Sequence, residues 1–243
     1  MKIQMYIRPL LSLWLFLFGC AISAEAQSPE ALVEAVYERY AQVEHLSFEW
    51  STIAFATADA EEGELTARGT FKKRGDAFYT KAWDREMIVN GERMLVIDHR
   101  DQKIVKGRTF AVASKTAEVP YAALEAFLAA GGSLTLLESE RGKRGYALDL
   151  PTGLIARLEL YLRPDHLIDR IRYYYRSSPE AEPVHPILEV RYREVSLAAP
   201  AAAIFDEAQY LERAPSGAWR ATSRYREYRV KEVSYDDFST TLF

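Results

Sequence analysis

Cysteine is almost missing from this chain of 243 residues; the one present, Cys20, sits in an apolar run near the N-terminus. A chain cut beyond that run has no disulfide to support it, so its own core must do so, as its length permits. Histidine is scarce too. His45, His99, His166 and His185 are scattered with no H-x-x-x-H or related spacing, whereas metal sites need ligands grouped at such spacings. His166 in a turn and His185 between prolines read as solvated loop residues. No G-x-S-x-G occurs, so no organised nucleophile is visible. A basic surplus is also lacking, with 31 Lys and Arg against 35 Asp and Glu. That disfavours nucleic acid as a partner.

The carboxylates do not fill the gap. Glu61-Glu62, Glu138 with Glu140, and Asp236-Asp237 read as turn or surface groups rather than acid/base pairs. Gly131-Gly132-Ser133 reads as a helix stop, not a phosphate loop. The expectation is a protein that is not an enzyme, with no catalytic residues, no metal and no cofactor. One route back to catalysis stays open: several carboxylates, or His99, converging in one cleft.

What is present begins with an address. Lys2 and Arg8 precede PLLSLWLFLFGCAISA, and Ala24-Glu25-Ala26 stands before Gln27. A basic start, an apolar middle and an A-x-A end predict a secretory signal over 1–26, cut after Ala26. The run from Leu10 to Ala24, about fifteen residues, is shorter than the ~20 a membrane span needs. The alternative is lipid attachment at Cys20 within LFGC. Without residues 1–26 the chain carries 29 basic and 34 acidic residues.

The remainder, 27–243, reads as one domain with a C-terminal extension over 211–243. Ser28-Pro29-Glu30 starts a helix, and Leu32, Val33, Val36, Tyr37 and Tyr40 form its apolar stripe. From His45 the period falls to two, and about ten strands follow, interrupted by a short helix over 120–130. In the stretch REMIVNGERMLVID, Asn90-Gly91 predicts a two-residue hairpin turn with positive φ at both central residues. Both faces of this hairpin are apolar. One face must meet a core, and the other something else, an internal helix or a ligand.

Fifteen tyrosines, eleven phenylalanines and four tryptophans fall mostly on such strands. They fit either a filled core with tyrosines at its rim or a curved sheet with a partly filled apolar interior. On the second reading, strand alternation and the short helix select Phe48, Trp50, Phe71, Tyr79, Trp83, Met87, Val89, Met94, Val96, Leu124, Phe127, Leu158 and Leu160 as ligand-binding residues. A barrel of about ten strands has an interior too wide to fill easily, so it leaves room for a ligand.

The order of LVEAVYERYAQVEHLSFEW, GELTARGTFKKRGDAFY, EMIVNGERMLVID, LIARLELYLRPDHLIDRIRYYYR and ILEVRYREVSLAAPAAAIFD resembles the LolA-like family of periplasmic lipoprotein carriers, over roughly Ala31 to Tyr210. The resemblance implies a mostly β, α+β fold: an incomplete antiparallel β-barrel, or strongly curved sheet, under a helical lid. It implies a periplasmic carrier that binds acyl chains of lipoproteins or other lipids. Such a carrier takes cargo from an inner-membrane donor to an outer-membrane acceptor. The chain departs from the family where an arginine ties the lid shut; Tyr79, with Lys81 two residues on, stands there. The alternative function is a non-catalytic periplasmic sensor or interaction module whose interior is filled by its own side chains.

Overall fold

The computed structural model describes residues 29–91, 93–108, 133–140, 143–176 and 186–233. The signal region with Cys20, the helix expected over 120–130 with Leu124 and Phe127, His185 and Asp236-Asp237 lie outside these residues. No helix of the described residues is long and apolar enough to cross a membrane.

The expected helix is present as α1 (Pro29–Gln42). Leu32 and Val36 are buried beneath it, and Tyr37 at the stripe's margin stays 41% exposed. Six strands then run as an antiparallel meander: β1 (His45–Phe55), β2 (Glu64–Arg74), β3 (Ala77–Ala82), β4 (Arg85–Asn90), β5 (Arg93–Asp98) and β6 (Lys103–Arg108). A second meander follows: β7 (Ser133–Glu140), β8 (Lys143–Asp149), β9 (Ile155–Leu162), β10 (Ile168–Tyr175) and β11 (Ile187–Ser196). The two meet where β11 pairs with β1. Beyond them β12 (Leu211–Arg213) and β13 (Trp219–Ala221) form a separate pair, and β14 (Arg229–Glu232) joins β6.

The result is one sheet of twelve strands in the order β14-β6-β5-β4-β3-β2-β1-β11-β10-β9-β8-β7. It corrects the expected barrel on two points. The sheet is open and not strongly curled, and it is mixed rather than antiparallel, because β14 runs parallel to β6. The edges explain the openness. β14 occupies the free side of β6 and leaves Arg229, Lys231 and Glu232 exposed; charges on an edge strand oppose further pairing. An unclosed sheet encloses no interior by itself, so the strand-count case for a roomy barrel falls. Fourteen described strands also replace the expected ten.

The hairpin register differs from expectation as well. Asn90 pairs with Arg93, so Asn90 ends β4 and Gly91, at φ +59°, takes the first turn position. The Asn90 side chain instead donates to the Phe205 carbonyl at 3.1 Å. Relative to a turn centred on Asn90-Gly91, the pairing has slipped by two residues. A slip of two preserves the faces, whereas a slip of one would invert them.

Both faces carry cores. On the helix face, Leu32 and Val36 meet Tyr146, Leu148, Leu158, Leu160, Leu162 and Ile171. Val43, Leu46 and Leu167 continue that layer through Tyr40 and Phe48 to Phe71. Phe78, Val89, Met94, Val96 and Val105 complete it, with Val233 against them. On the far face, Ile88, Leu95, Ile97 and Ile104 are covered by Tyr210, Leu211 and Tyr225. The second apolar face of the hairpin thus meets the chain's own C-terminal segment.

Candidate functional site

The helix face of the central strands is the candidate. Alternation on β1 sends Leu46, Phe48 and Trp50 to this face, and register sets Phe48 against Phe71 and Trp50 between Gly69 and Tyr192. Phe71 stacks on Phe48 at 4.9 Å between ring centroids and on Phe78 at 6.2 Å. Tyr192 meets Phe48 edge-on at 5.2 Å. Gly69 makes room for the Trp50 indole, since a Cβ there would stand 2.6 Å from it. Phe48, Trp50, Phe71, Met87, Tyr173, Leu188 and Tyr192 are all half-buried. They form a continuous aromatic and aliphatic strip that the described part of the protein does not fully cover.

The phenols on this strip stay neutral. Burial pushes the Tyr40 hydroxyl up to about 12, even though it accepts a hydrogen bond from the Ile168 N–H at 3.3 Å. Burial also pushes Tyr173 upward and Tyr192 far above the ordinary tyrosine range. An apolar surface with neutral hydroxyls suits a ligand held by contact area rather than by charge.

The structure distributes the sequence-derived residues as follows. Phe48, Trp50, Phe71, Met87, Val89, Met94 and Val96 share the helix face. Of these, Val89, Met94 and Val96 are at most 6% exposed, and Leu158 and Leu160 are buried under α1. Tyr79 lies on the far face beside the C-terminal segment. Trp83, 56% exposed, stands in the turn between β3 and β4 with φ +51°. Tyr173 and Tyr192 belong to the strip but were not selected from sequence. The alternation of Leu188, Val190 and Tyr192 was their signal. Two clefts formed by described residues, of about 90 and 460 Å³, lie on the far face.

The far face holds the polar chemistry. His99, the histidine that kept a catalytic cleft open, has its Nε2 2.8 Å from Glu86 Oε1 and its Nδ1 2.7 Å from the Tyr228 hydroxyl. With Nε2 donating to the carboxylate, Nδ1 accepts from the phenol. Lys81 Nζ donates to the same Glu86 oxygen at 3.2 Å. This network fastens the C-terminal segment to β4; the ring's partners are one carboxylate and one phenol, not a cluster of carboxylates. His166 is half-buried, and its Nδ1 is buried without a hydrogen-bond partner. Among the described residues no group of three or more His, Cys, Asp or Glu could hold a metal ion.

Under β9–β11 a second network centres on Glu189, which is 0% exposed. Arg172 donates to it at 2.7 Å, Arg191 donates to its other oxygen, and Arg170 lies 4.0 Å away. No sequence motif marks this site. Its signal was subtler: ARLELYL, DRIRYYY and LEVRYRE each alternate charge with apolar residues.

These carboxylates set an acid limit. Burial pushes Glu86 and Glu189 upward, but hydrogen bonds from His99 and Lys81, and from Arg191 and Arg172, outweigh it and hold both below the usual range. A carboxylate whose folded pKa is depressed stabilises the fold above its unfolded value of ~4.5. That contribution is lost as pH falls through the folded pKa. Urea midpoints should therefore hold steady between about pH 7 and 5.5 and fall progressively below about pH 4.5. A midpoint unchanged at pH 3 would show that neither network contributes.

No family model matches the sequence, and no curated protein matches it. Solved structures are similar to it. One is an uncharacterized conserved protein from Thermus thermophilus, with 10% identity and a TM-score of 0.45 over 84% of this chain and 98% of that one. A LolA superfamily protein from Nitrosomonas europaea has 12% identity and a TM-score of 0.32 over 74% and 98%. The MucA/MucB complex of Pseudomonas aeruginosa provides a third, with 11% identity and a TM-score of 0.41 over 79% and 73%. The similarity to LolA-superfamily and MucB proteins is remote and structural.

Proposed function

We propose that this chain is a non-catalytic protein of the bacterial periplasm that holds an acyl chain, or another apolar ligand, against its aromatic strip and passes it to a membrane or protein partner. The observation that carries this reading is the strip itself: seven large apolar side chains left half-buried on central strands. Burying an acyl CH₂ contributes about 0.8 kcal/mol, so a single chain laid along the strip needs no specific polar contact. That is why a site of this kind leaves no motif. Phe48, Trp50, Phe71 and Met87 are the proposed ligand contacts, with Tyr173 and Tyr192 beside them. Entry to the periplasm by a cut after Ala26, or tethering through Cys20, belongs to the same proposal.

A second reading has its own support. Phe78, Val89, Met94, Val96 and Val105 are already at most 6% exposed, so the β3–β6 half of this face is filled. If the central half is filled equally, the protein is an interaction module with no cargo.

The test is uptake of a fluorescent fatty-acyl probe by the purified protein, with native mass spectrometry for lipid carried through purification. Phe71→Ala should weaken uptake roughly tenfold, which is the ~1.5 kcal/mol expected for one lost apolar contact. No uptake and no retained lipid would leave the interaction module standing.

A further inference from the structure

We propose that the far face of β9, β10, β11, β1 and β2 is a docking surface for an acidic segment of a partner protein, built on arginines held around Glu189. It lies opposite the aromatic strip and does not depend on what that strip binds.

The first observation is an arrangement a stable sheet would avoid. Arg170 and Arg191 stand directly opposite each other on β10 and β11, and like charges so placed are destabilising. Ser51 follows across β11, and Arg68 lies opposite Ser51 on β2. This row carries three cations and no anion. In the adjoining row Glu189 lies opposite Arg172, and three guanidiniums surround that one carboxylate. Other carboxylates on this face have partners of their own: Glu159, opposite Arg172 on β9, and Asp149 are engaged by Arg157, and Glu49 on β1 stands opposite Arg193. The face keeps a positive excess on a chain whose net charge is −4.

The second observation is that the cations are held in place. Arg170 lies over the Tyr161 ring at 3.8 Å, and Arg172 over the Phe55 ring at 5.2 Å. Their side chains remain 21–22% exposed and that of Arg191 34% exposed, while Glu189 is fully buried. Guanidiniums fixed on aromatic rings lose little freedom when an anion arrives.

Charge complementarity calls for an anion, and the flanking residues favour a protein as its bearer. Arginine and tyrosine together are the side chains that dominate protein interfaces, and here Tyr161 and Tyr174 stand among the arginines. A membrane surface would be met better by protruding apolar residues; of the exposed large ones, Tyr37, Leu65, Trp83, Leu136, Leu154 and Leu197, none falls in the arginine row, and only Leu65 reaches the adjoining Glu189 row, at the end of β2.

The experiment is fluorescence anisotropy of a labelled ten-residue poly-glutamate peptide with the full chain at low and at physiological salt. Arg68→Glu, at an exposed position, and Arg191→Gln, which leaves Arg172 and Arg170 on Glu189, should each weaken binding roughly tenfold, and added salt should weaken it further. Thermal melts of both variants verify folding, and uptake of the fatty-acyl probe should be unchanged in both. Peptide binding that ignores both substitutions, or no peptide binding at low salt, overturns the proposal. Sedimentation with phosphatidylglycerol vesicles that depends on Arg68 when the peptide does not bind would overturn it in favour of a lipid surface.

Discussion

Glu189→Ala is expected to lower stability by about 3–5 kcal/mol, the range for stripping one partner from a buried charge network. The size follows from what remains. Glu189 is fully buried and receives Arg172 and Arg191 on its two oxygens, with Arg170 at 4.0 Å. Without it, the only carboxylate beside these guanidiniums is Glu159, opposite Arg172 and already held by Arg157, and the cross-strand pair Arg170–Arg191 becomes purely repulsive. Glu189→Gln keeps the shape and an acceptor but not the charge, so it should fall between the parent and the alanine variant. Urea unfolding at neutral pH measures both. Below about pH 4.5 the gap between parent and Glu189→Gln should narrow, because the unfolded parent's carboxyl takes up a proton while the folded one is held ionised, so the charge-dependent stability drains away as pH falls toward the depressed folded pKa. A loss below about 1 kcal/mol for Glu189→Ala would mean that water solvates the arginines and that the network stores little.

How much of this was legible beforehand depends on the length scale. Local signals held. Pro29-Glu30 opened α1, alternation located strands β1 to β6 in order, and the apolar runs around Asn90 formed a hairpin. What failed was the step from strands to their closure. Alternation reports which side chains share a face; it does not report whether the first and last strands find each other. Closure was decided by β14, a four-residue strand whose parallel pairing with β6 left charges along one edge.

The candidate site was legible to the same extent. Phe48, Phe71 and Met87 reached one face because the period is two, and Tyr79 reached the other for the same reason. Trp83 could not be placed by alternation because it sits in a turn with positive φ. Glu189 escaped notice because its three arginines come from two strands nearly twenty residues apart in sequence, and pairing at that separation is set by register. The resemblance to LolA-like carriers rested on the order of elements.

The doubly apolar hairpin leads to the second large effect: removing residues 202–243 should leave a chain that fails to accumulate in soluble form. The far face of β3–β6 is one of the protein's cores rather than a surface. Ile88, Leu95, Ile97 and Ile104 are at most 3% exposed there, and Tyr210, Leu211 and Tyr225 are the residues that cover them. Removal uncovers at least four branched side chains, at about 1.5–3 kcal/mol each, which rivals the total stability of about 5–15 kcal/mol of a typical domain. It also removes β14 and bares the backbone of β6, whose four middle residues, Ile104 to Gly107, are buried and include the apolar pair Ile104-Val105. An exposed apolar edge strand templates aggregation. The polar ties go too: Asn90 loses the Phe205 carbonyl, His99 loses the Tyr228 hydroxyl, and Lys106 loses both Glu207 and the Trp219 ring 3.4 Å from its ammonium. Leu211→Ala, a single cut into the same layer, should cost about 2–5 kcal/mol while leaving the edge protected. Soluble yield and cooperative melting of the two variants separate these causes. Leu211→Ala should melt cooperatively at a lower temperature, and the truncated chain should be recovered in the pellet. A soluble truncated chain melting within a few degrees of the parent would show that the far face tolerates water and that the C-terminal layer is an accessory.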